Sequence, residues 1–501
     1  MCTKGLNKEH KGYAECKCPF CLRLGDTEMK DNGNTEVQRP AQSDPCNATG
    51  GHGHLSCQKH LFSLPEGVVY LNCASRSPML RSVEKLGHEA VSVKNQPWLI
   101  ADSASAQVRA LFAQLVRASP DNIALAPSTS YAISQAAHNI ARSGRISAGD
   151  VILVLQNQMS SNVYAWQRLC RESGARLVAI PEPQEETEEE PVERRPKRQR
   201  TDSSMSAMTL SPWDEALETA VRLHAQRSRI AVVAVPHFLW TDGSGPINLH
   251  RLRSVLDEVA WGRRTVLVVD ATQSLGVVPI QAESWGIDWL ACSVHKWLFG
   301  PYGLSLVYVS PEWSQDAATE PIVQDEHNRL GADGDVCLPF DLERPGYSED
   351  FQEGARKFDA GGRVNPILIP MVAGALKQVL EWHPDRIGAT LAPLTAQCAE
   401  GAASLGFQVP SSHAPHFIGV GPSAEDMERE LLHGEGEATA RNRSQAAERW
   451  ADAAAAYLKR HSIHVSSRAG VLRVSPHLYN TSNDVKAFLD KLASFRRYWP
   501  S

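Results

Sequence analysis

One lysine with unusual surroundings offers the clearest chemistry in this sequence. Lys296 ends the motif Ser293-Val294-His295-Lys296, which follows the apolar run 289–291 and precedes a segment rich in aromatic and glycine residues. An ammonium group that a buried strand delivers into such a turn loses its hydration unless it is paired or neutral. A neutral lysine is a nucleophile that forms a Schiff base with an aldehyde or ketone. The alternative is a surface lysine just past a strand, so further residues must decide between the two.

A carboxylate at the end of another predicted strand is a candidate partner for a bound ring. Asp270 ends the apolar run 265–269, and the ligands of doubly wound sheets lie just outside the carboxyl ends of the strands. A carboxylate held there keeps a ring nitrogen protonated, as a pyridinium electron sink requires. Gln273 is close enough in sequence to hydrogen-bond a substituent of the same ring. The simpler interpretation of Asp270 is a cap on the turn after its strand.

Three hydroxyl residues in Ser128-Thr129-Ser130 join a short predicted strand to a helix. Hydroxyls and backbone amides at a helix N-terminus form an anion site that suits a phosphate group. Serine and threonine are also the preferred N-caps of helices, so this signal is weak when taken by itself. A phosphate site, an aspartate at one strand end and a lysine at another together indicate a site for pyridoxal phosphate.

The elements that must position these residues alternate between strands and helices. Near-continuous apolar strands separated by segments of helical length predict an α/β fold with a mostly parallel sheet, covered on both faces. The predicted strands of this sheet are residues 123–125, 151–155, 175–180, 230–235, 265–270, 289–292 and 305–308.

The chain divides into three predicted parts. Residues 1–62 form a Cys- and His-containing segment without strand or helix periodicity, residues 63–345 form the large cofactor-binding domain, and residues 346–501 form a smaller α+β domain. The predicted elements of the smaller domain are helices 366–382, 446–461 and 483–495 and strands 417–420, 463–466 and 471–475.

Composition limits the classes of protein to which this chain can belong. Its 501 residues carry a net charge of −6, which gives no electrostatic reason to expect a nucleic-acid partner. No apolar stretch approaches the length of a membrane span, and the N-terminus lacks the pattern of a signal peptide. The 11 cysteines are an odd number spread over a long chain, which favours free thiols. We therefore expect a cytoplasmic protein.

Two segments leave alternatives open. Cys16, Cys18 and Cys21 have thiolate spacing that zinc prefers, but a second pair at a familiar interval is missing, so a Cys-bearing tail is the alternative and we predict no metal site. Residues 182–208 carry an acidic run and then a basic run, which predicts a disordered insert. The basic run 194–200 is either a nuclear import signal or simply a solvated charge cluster.

Three ordered motifs resemble those of one enzyme family. They are Asp270-Ala271-Thr272-Gln273, Ser293-Val294-His295-Lys296 and the segment 473–481 that begins with Arg473. The chain resembles the aminotransferase class V family of pyridoxal phosphate enzymes, which includes cysteine desulfurases, selenocysteine lyases and isopenicillin N epimerase-like proteins. The resemblance extends from about residue 65 to about residue 497, apart from the charged insert. It implies fold type I, the aspartate-aminotransferase-like fold, and a homodimer.

The resemblance also implies roles for individual residues. Lys296 would form the aldimine with the cofactor, and Asp270 would face the pyridine nitrogen. Gln273 would reach the phenolic oxygen, and Arg473 would bind the substrate α-carboxylate as a bidentate fork. The residues that would hold the phosphate are Thr129, Ser130, Ser293 and His295.

Three departures from the family pattern bear on the reaction. Met159 stands where an aromatic residue commonly stacks on the cofactor ring, and Trp240 stands where an asparagine is common. No cysteine directly precedes Arg473, where desulfurases keep their persulfide nucleophile, and the nearest one upstream is Cys398. The segment around Trp240 and the missing cysteine favour the epimerase-like branch over desulfurase chemistry.

We therefore expect an enzyme that removes the Cα proton of an amino acid substrate and acts as an epimerase or aminotransferase. A β-lyase on a sulfur or selenium amino acid is the enzymatic alternative. A scaffold or regulatory protein that kept the fold is the alternative of another class, and the intact set of site residues argues against it.

Overall fold

A computed structural model describes residues 53–100, 104–183, 210–330, 348–362, 364–432 and 439–498. The predictions for Cys16, Cys18 and Cys21 and for the basic run 194–200 lie outside these residues. The predicted domain boundary after residue 345 also lies outside them and stays a prediction.

A mixed seven-stranded sheet is the largest assembly of strands in the described part of the chain, and its order is β2-β8-β7-β6-β5-β3-β4. Strands β3 to β7 are parallel to one another, while β8 is antiparallel to both β7 and β2. The strands are β2 (Ile123–Ala126), β3 (Val151–Leu155), β4 (Arg176–Ile180), β5 (Ile230–Pro236), β6 (Val266–Asp270), β7 (Trp289–Ser293) and β8 (Ser305–Val309). The predicted mostly parallel α/β sheet is confirmed.

Both faces of this sheet are buried, as the apolar character of its strands requires. Along β6, Leu267 and Val269 belong to one hydrophobic cluster, whereas Val266 and Val268 belong to another on the opposite face. This alternation follows from the two-residue period of a strand. The helices of this half of the chain are α1 (Arg81–Val93), α2 (Ala104–Val116), α3 (Thr129–Arg142), α4 (Tyr164–Ser173), α5 (Pro212–Ala225), α6 (Leu249–Glu258) and the short α7 (Pro311–Ser314).

The C-terminal half carries a four-stranded antiparallel sheet in the order β12-β13-β10-β9. Its own core is built around Trp450, which is fully buried. The strands are β9 (Phe407–Gln408), β10 (Ile418–Ser423), β12 (Ser466–Arg468) and β13 (Val471–Val474). The helices are α8 (Leu368–Trp382), α9 (Pro384–Ser404), α10 (Ala424–Leu432), α11 (Ala440–Arg460) and α12 (Ser482–Tyr498).

A small parallel pair links the beginning of the described chain to this C-terminal half. Strand β1 (Val69–Tyr70) pairs with β11 (Ile463–His464), and the chain then continues beside β13, where Asn72 bridges to Ser475. The residues after β1 are thereby held against the C-terminal sheet. None of the helices in the described part is both long and apolar enough to cross a bilayer.

Candidate active site

Strand β7 delivers Lys296 into a tightly closed turn. The amide of Phe299 donates to the carbonyl oxygen of Lys296 at 3.2 Å, and that of Gly300 donates to the carbonyl oxygen of Val294 at 2.8 Å. A Cβ at position 300 would lie 2.8 Å from Val294 Cγ2, so glycine lets the turn close. The backbone around the lysine is therefore fixed by its own hydrogen bonds.

The surroundings of Lys296 favour its neutral form. Burial first and the positive charge of Arg473 second lower the pKa of the Lys296 ammonium to about 8, although Asp270 acts in the opposite direction. Close to neutral pH, a considerable fraction of this amine is therefore unprotonated. The chemistry expected of Lys296 requires that form.

Asp270 ends β6 with one carboxylate oxygen engaged and one available. Its side chain is buried, and Oδ1 accepts a hydrogen bond from the amide of Thr272 at 3.0 Å. Oδ2 accepts no hydrogen bond from the described residues. This geometry combines the turn cap with an oxygen that can receive a ring N–H, so the two interpretations of Asp270 are compatible.

Gln273 is locked in one orientation by the residues around it. Its Oε1 accepts from Trp297 Nε1 at 2.8 Å, and its Nε2 donates to the carbonyl oxygen of Ala74 at 3.2 Å. His416 Nε2 lies 2.7 Å from the Gln273 carbonyl oxygen, and burial lowers the pKa of this histidine to about 3, which keeps it neutral. An amide nitrogen carries two hydrogens, so one N–H of Gln273 remains for a bound group.

Hydroxyl groups from α3, β7 and β8 converge at the start of α3. Thr129 Oγ1 lies 2.7 Å from Ser293 Oγ and 3.4 Å from Ser305 Oγ. Ser128 caps the helix through the amide of Tyr131, and its hydroxyl lies 2.9 Å from that of the exposed Ser130. The first amides of a helix have no acceptor within the helix, so this end carries N–H donors as well as hydroxyls.

His295 presents a neutral ring beside Lys296. Its imidazole stacks on Tyr302 with 4.1 Å between the ring centroids. Burial lowers the pKa of His295 to about 4, and the charges of Lys296 and Arg76 act in the same direction. A ring that stays neutral at physiological pH donates a hydrogen bond to a phosphate without adding a charge.

Arg473 is a buried guanidinium without a carboxylate partner in the described part of the chain. It lies on β13, is 2% exposed, and donates to the carbonyl oxygen of Trp240 and to Ser75 Oγ, both at 2.5 Å. Its Nε is buried and has no hydrogen-bond partner. Burial first and the charge of Arg468 second lower the pKa of Arg473 to about 9. Such a group is poised for an incoming carboxylate.

The polar segment after β1 links these parts and was missed as a functional element. Gln273 donates to Ala74, Arg473 donates to Ser75, and the amide of Ser77 donates to the carbonyl oxygen of His295 at 3.3 Å. In the sequence this segment indicates only a turn, because its partners lie about 200 to 400 positions later. Its position directly after the first strand is the one signal available.

The two residues that depart from the family pattern lie at strand ends of the same sheet. Met159 follows β3, and its side chain is 39% exposed. Trp240 follows β5, donates its indole N–H to the carbonyl oxygen of Asn157 at 2.8 Å, and has its ring centroid 5.9 Å from Arg473 Cζ. Trp240 therefore contacts both the turn after β3 and Arg473.

The eight residues predicted from the sequence thus lie at the carboxyl ends of β6 and β7, at the start of α3 and on β13. Thr129 contacts Ser293 directly. Gln273 and Arg473 both donate to the polar segment after β1, and His295 accepts a hydrogen bond from the same segment. Ser130 lies at the rim, where its side chain is exposed.

Comparisons with known proteins find similar sequences in one enzyme family. The family model Aminotransferase class-V matches residues 86–201 and 249–324. The uncharacterized aminotransferase YcbU of Bacillus subtilis is 23% identical over 448 residues, which cover 88% of this chain and 98% of YcbU. Isopenicillin N epimerase of Streptomyces clavuligerus is 24% identical over 249 residues, which are 49% of this chain and 54% of the epimerase.

A solved structure confirms the predicted fold type. The cysteine desulfurase from Thermococcus onnurineus NA1 superposes with a TM-score of 0.65 at 18% identity, over 89% of this chain and 100% of that one. The predictions of fold type I, of an enzyme and of a pyridoxal phosphate-dependent family are confirmed. The chain is thus similar to the aminotransferase class V family, by the family model over residues 86–201 and 249–324 and by YcbU over most of its length.

Proposed function

We propose that this chain binds pyridoxal phosphate through Lys296 and transforms an amino acid by removing the proton from its Cα. The observation that carries the proposal is the position of Lys296 in the turn after β7, the strand that pairs with β6 and its terminal Asp270, where burial and the charge of Arg473 lower the pKa of the lysine to about 8. A lysine that was exposed at the surface would keep its ordinary pKa.

The residues present fit this cofactor. Asp270 Oδ2 is available to the ring nitrogen, and the second N–H of Gln273 is available to the ring oxygen. Thr129, Ser130, Ser293 and His295 would hold the phosphate at the start of α3. When bound, pyridoxal phosphate supplies an electron sink for the electron pair released at the substrate Cα.

The protein's own groups then handle the proton and the orientation of the substrate. Arg473 would hold the α-carboxylate in its planar fork, which fixes the substrate relative to Lys296. The neutral amine of Lys296 would accept the Cα proton on Nζ and return it, and its lowered pKa suits this exchange near neutral pH. Trp240 holds Arg473 in place through its carbonyl oxygen.

Removing one hydroxyl should weaken the binding of pyridoxal phosphate. Thr129→Val keeps the shape of the side chain and removes the group that lies against Ser293, so we expect the dissociation constant to rise about tenfold, the value of one hydrogen bond to a charged group. Titration of the coenzyme-free protein measures it. Thr265→Val is the matched control, because this buried threonine donates to the carbonyl oxygen of Ile230 at the amino ends of β5 and β6, opposite the strand ends that carry the site. Equal constants for wild type and Thr129→Val would contradict the assignment.

Cysteine placement favours an epimerase or aminotransferase over a desulfurase. Cys398, the nearest cysteine upstream of Arg473, is fully buried, and burial raises its pKa to about 12. Cys73 is buried likewise, with its pKa raised to about 12. Thiols in such surroundings are poor nucleophiles. A β-lyase that needs no protein thiol remains the second candidate, since the similarity to a cysteine desulfurase structure favours sulfur amino acids.

A screen of amino acids against the purified enzyme tests the proposal. Formation of a keto acid would identify an aminotransferase, inversion of configuration at Cα an epimerase, and release of sulfide a β-lyase. Exchange of the Cα hydrogen in deuterated water is the step these reactions share, so it should appear with any true substrate. A chain that binds the cofactor but exchanges no Cα hydrogen with any amino acid would instead support a scaffold.

Two further features of the proposal concern assembly and compartment. A homodimer is implied by the resemblance, and the 57% exposed Tyr302 ring stacked on His295 is a candidate point of contact with a second subunit. A mass of two chains in solution tests this. The buried Cys73, Cys170, Cys292 and Cys398 are free thiols, which supports a reducing compartment such as the cytoplasm.

A further inference from the structure

A second arginine lies beside Arg473 because of the hairpin that carries both. Strands β12 and β13 pair so that Ser466 faces Arg473 and Arg468 faces Val471. Alternate residues of a strand share a face, and directly paired residues share it too. Arg468 and Arg473 therefore project from the same face of the sheet as diagonal neighbours. Ala469 and Gly470 both have positive φ, which closes the hairpin in two residues and fixes this register.

The two guanidinium groups meet at a single hydroxyl. Ser75 Oγ accepts from Arg473 Nη2 at 2.5 Å and from Arg468 Nη2 at 3.4 Å, and it lies 3.3 Å from Ser466 Oγ. Arg468 also donates to the carbonyl oxygen of Ser467 at 2.7 Å. The side chain of Arg468 is only partly buried, so it lies nearer to solvent than the buried side chain of Arg473.

Neither cation is neutralised within the part of the chain that the structure describes. The acceptors of both guanidinium groups are backbone carbonyls and the Ser75 hydroxyl, and no carboxylate of the described residues pairs with them. Two like charges on one hydroxyl repel each other, and the buried Nε of Arg473 still has no partner. One substrate α-carboxylate would satisfy Arg473 and leave the charge of Arg468 uncompensated.

From this arrangement we infer that the substrate is an amino acid with a carboxylate in its side chain, which Arg468 binds while Arg473 binds the α-carboxylate. The inference rests on the proposed function and narrows its substrate class. Arg468 is then a residue that determines specificity rather than one that takes part in the proton transfer. Arg468 suits a group at the far end of the substrate, because it is only partly buried whereas Arg473 is buried.

A matched pair of ligands without an amino group tests the role of Arg468 separately from catalysis. Glutarate and its monoamide, glutaramate, have the same length and differ in the charge of one end. In calorimetric titrations of the cofactor-loaded enzyme, we expect glutarate to bind about tenfold more tightly, as a charge-assisted hydrogen bond requires. Succinate and succinamate provide a shorter pair that reports the distance between the two arginines.

Substitution of Arg468 should remove the preference for glutarate over glutaramate and leave the affinity for glutaramate unchanged. Arg468→Gln is expected to bind both ligands with the affinity that wild type has for glutaramate, and Arg468→Lys to restore part of the preference because it keeps the charge. Arg460→Gln, an exposed arginine at the end of α11 in the same half of the chain, is the matched control and should behave as wild type.

The outcomes separate this inference from the proposed function. Equal affinities of wild type for glutarate and glutaramate, or an undiminished preference in Arg468→Gln, would overturn the role of Arg468. A wild-type protein without a cofactor absorbance band would instead refute the proposed function, whatever its ligand preference. If Arg468→Gln did not fold, the wild-type comparison and Arg468→Lys would still decide.

Discussion

Lys296→Ala should abolish the absorbance band of the bound cofactor and lower kcat by at least about 10³-fold, because general acid–base catalysis by one side chain contributes about 10²–10⁴-fold and the attachment point is lost as well. The variant should still fold. Lys296 is partly buried at the end of β7, and the turn around it is held by backbone hydrogen bonds of Phe299 and Gly300 that the substitution leaves in place. Spectra of wild type and variant loaded with pyridoxal phosphate, with rates on the substrate found by screening, measure both effects.

A second lysine provides the matched control for this experiment. Burial lowers the pKa of Lys357 to about 8 as well, and its Nζ donates to the carbonyl oxygen of Asp316 at 2.8 Å. Lys357→Met should therefore keep the band, since a lowered pKa alone does not make a cofactor site. Loss of the band in both variants would indicate a general effect on folding, and retention of it in Lys296→Ala would refute the assignment.

The large sheet was predictable because its strands carry a strong local signal. Every strand of β2 to β8 coincides with an apolar run, and Asp270 and Lys296 could be assigned to strand ends for that reason. In a parallel sheet the carboxyl ends of neighbouring strands meet at one edge, so the approximate site follows from the strands alone. The roles of Ser293, His295 and Arg473 came from resemblance alone, because no local pattern shows what they contact.

Other features could not be predicted because they depend on distant contacts or run against local preference. Helix α9 contains Pro393 and two glycines, which disfavour a helix in isolation, yet Gly388 allows it to approach the Val277 carbonyl oxygen closely. The hydrogen bond of Ser75 to Arg473 spans 398 positions in the sequence. Spacing within a single sequence carries no information about such pairs, so the pairing of Arg468 and Arg473 around Ser75 emerged only from the fold.

Arg473→Gln should reduce kcat/KM by about 100-fold, since the loss of a buried bidentate partner for a carboxylate costs about 2–3 kcal/mol. Most of this loss should appear in KM, because Arg473 binds the substrate in its ground state as well as in the transition state. Arg473→Lys keeps the charge and loses the planar fork, so it should recover only part of the affinity. Steady-state kinetics of the three proteins measure this. An unchanged KM in Arg473→Gln would contradict the assignment of the α-carboxylate.

The same substitution should change the titration of Lys296, which a purely structural arginine remote from the lysine would not do. The neutral amine of Lys296 increases as pH rises through its pKa of about 8, so the coenzyme-free protein should bind pyridoxal phosphate faster up to that pH and level off above it. Arg473 lowers this pKa by its positive charge, so Arg473→Gln should move the midpoint to higher pH, while Arg473→Lys should leave it nearly in place. Absorbance followed at several pH values gives the midpoint.

A midpoint shared by all three proteins, together with a raised KM in Arg473→Gln, would mean that Arg473 binds the substrate without changing the pKa of Lys296. A shift confined to Arg473→Gln would show that one guanidinium both holds the substrate and keeps Lys296 reactive near neutral pH.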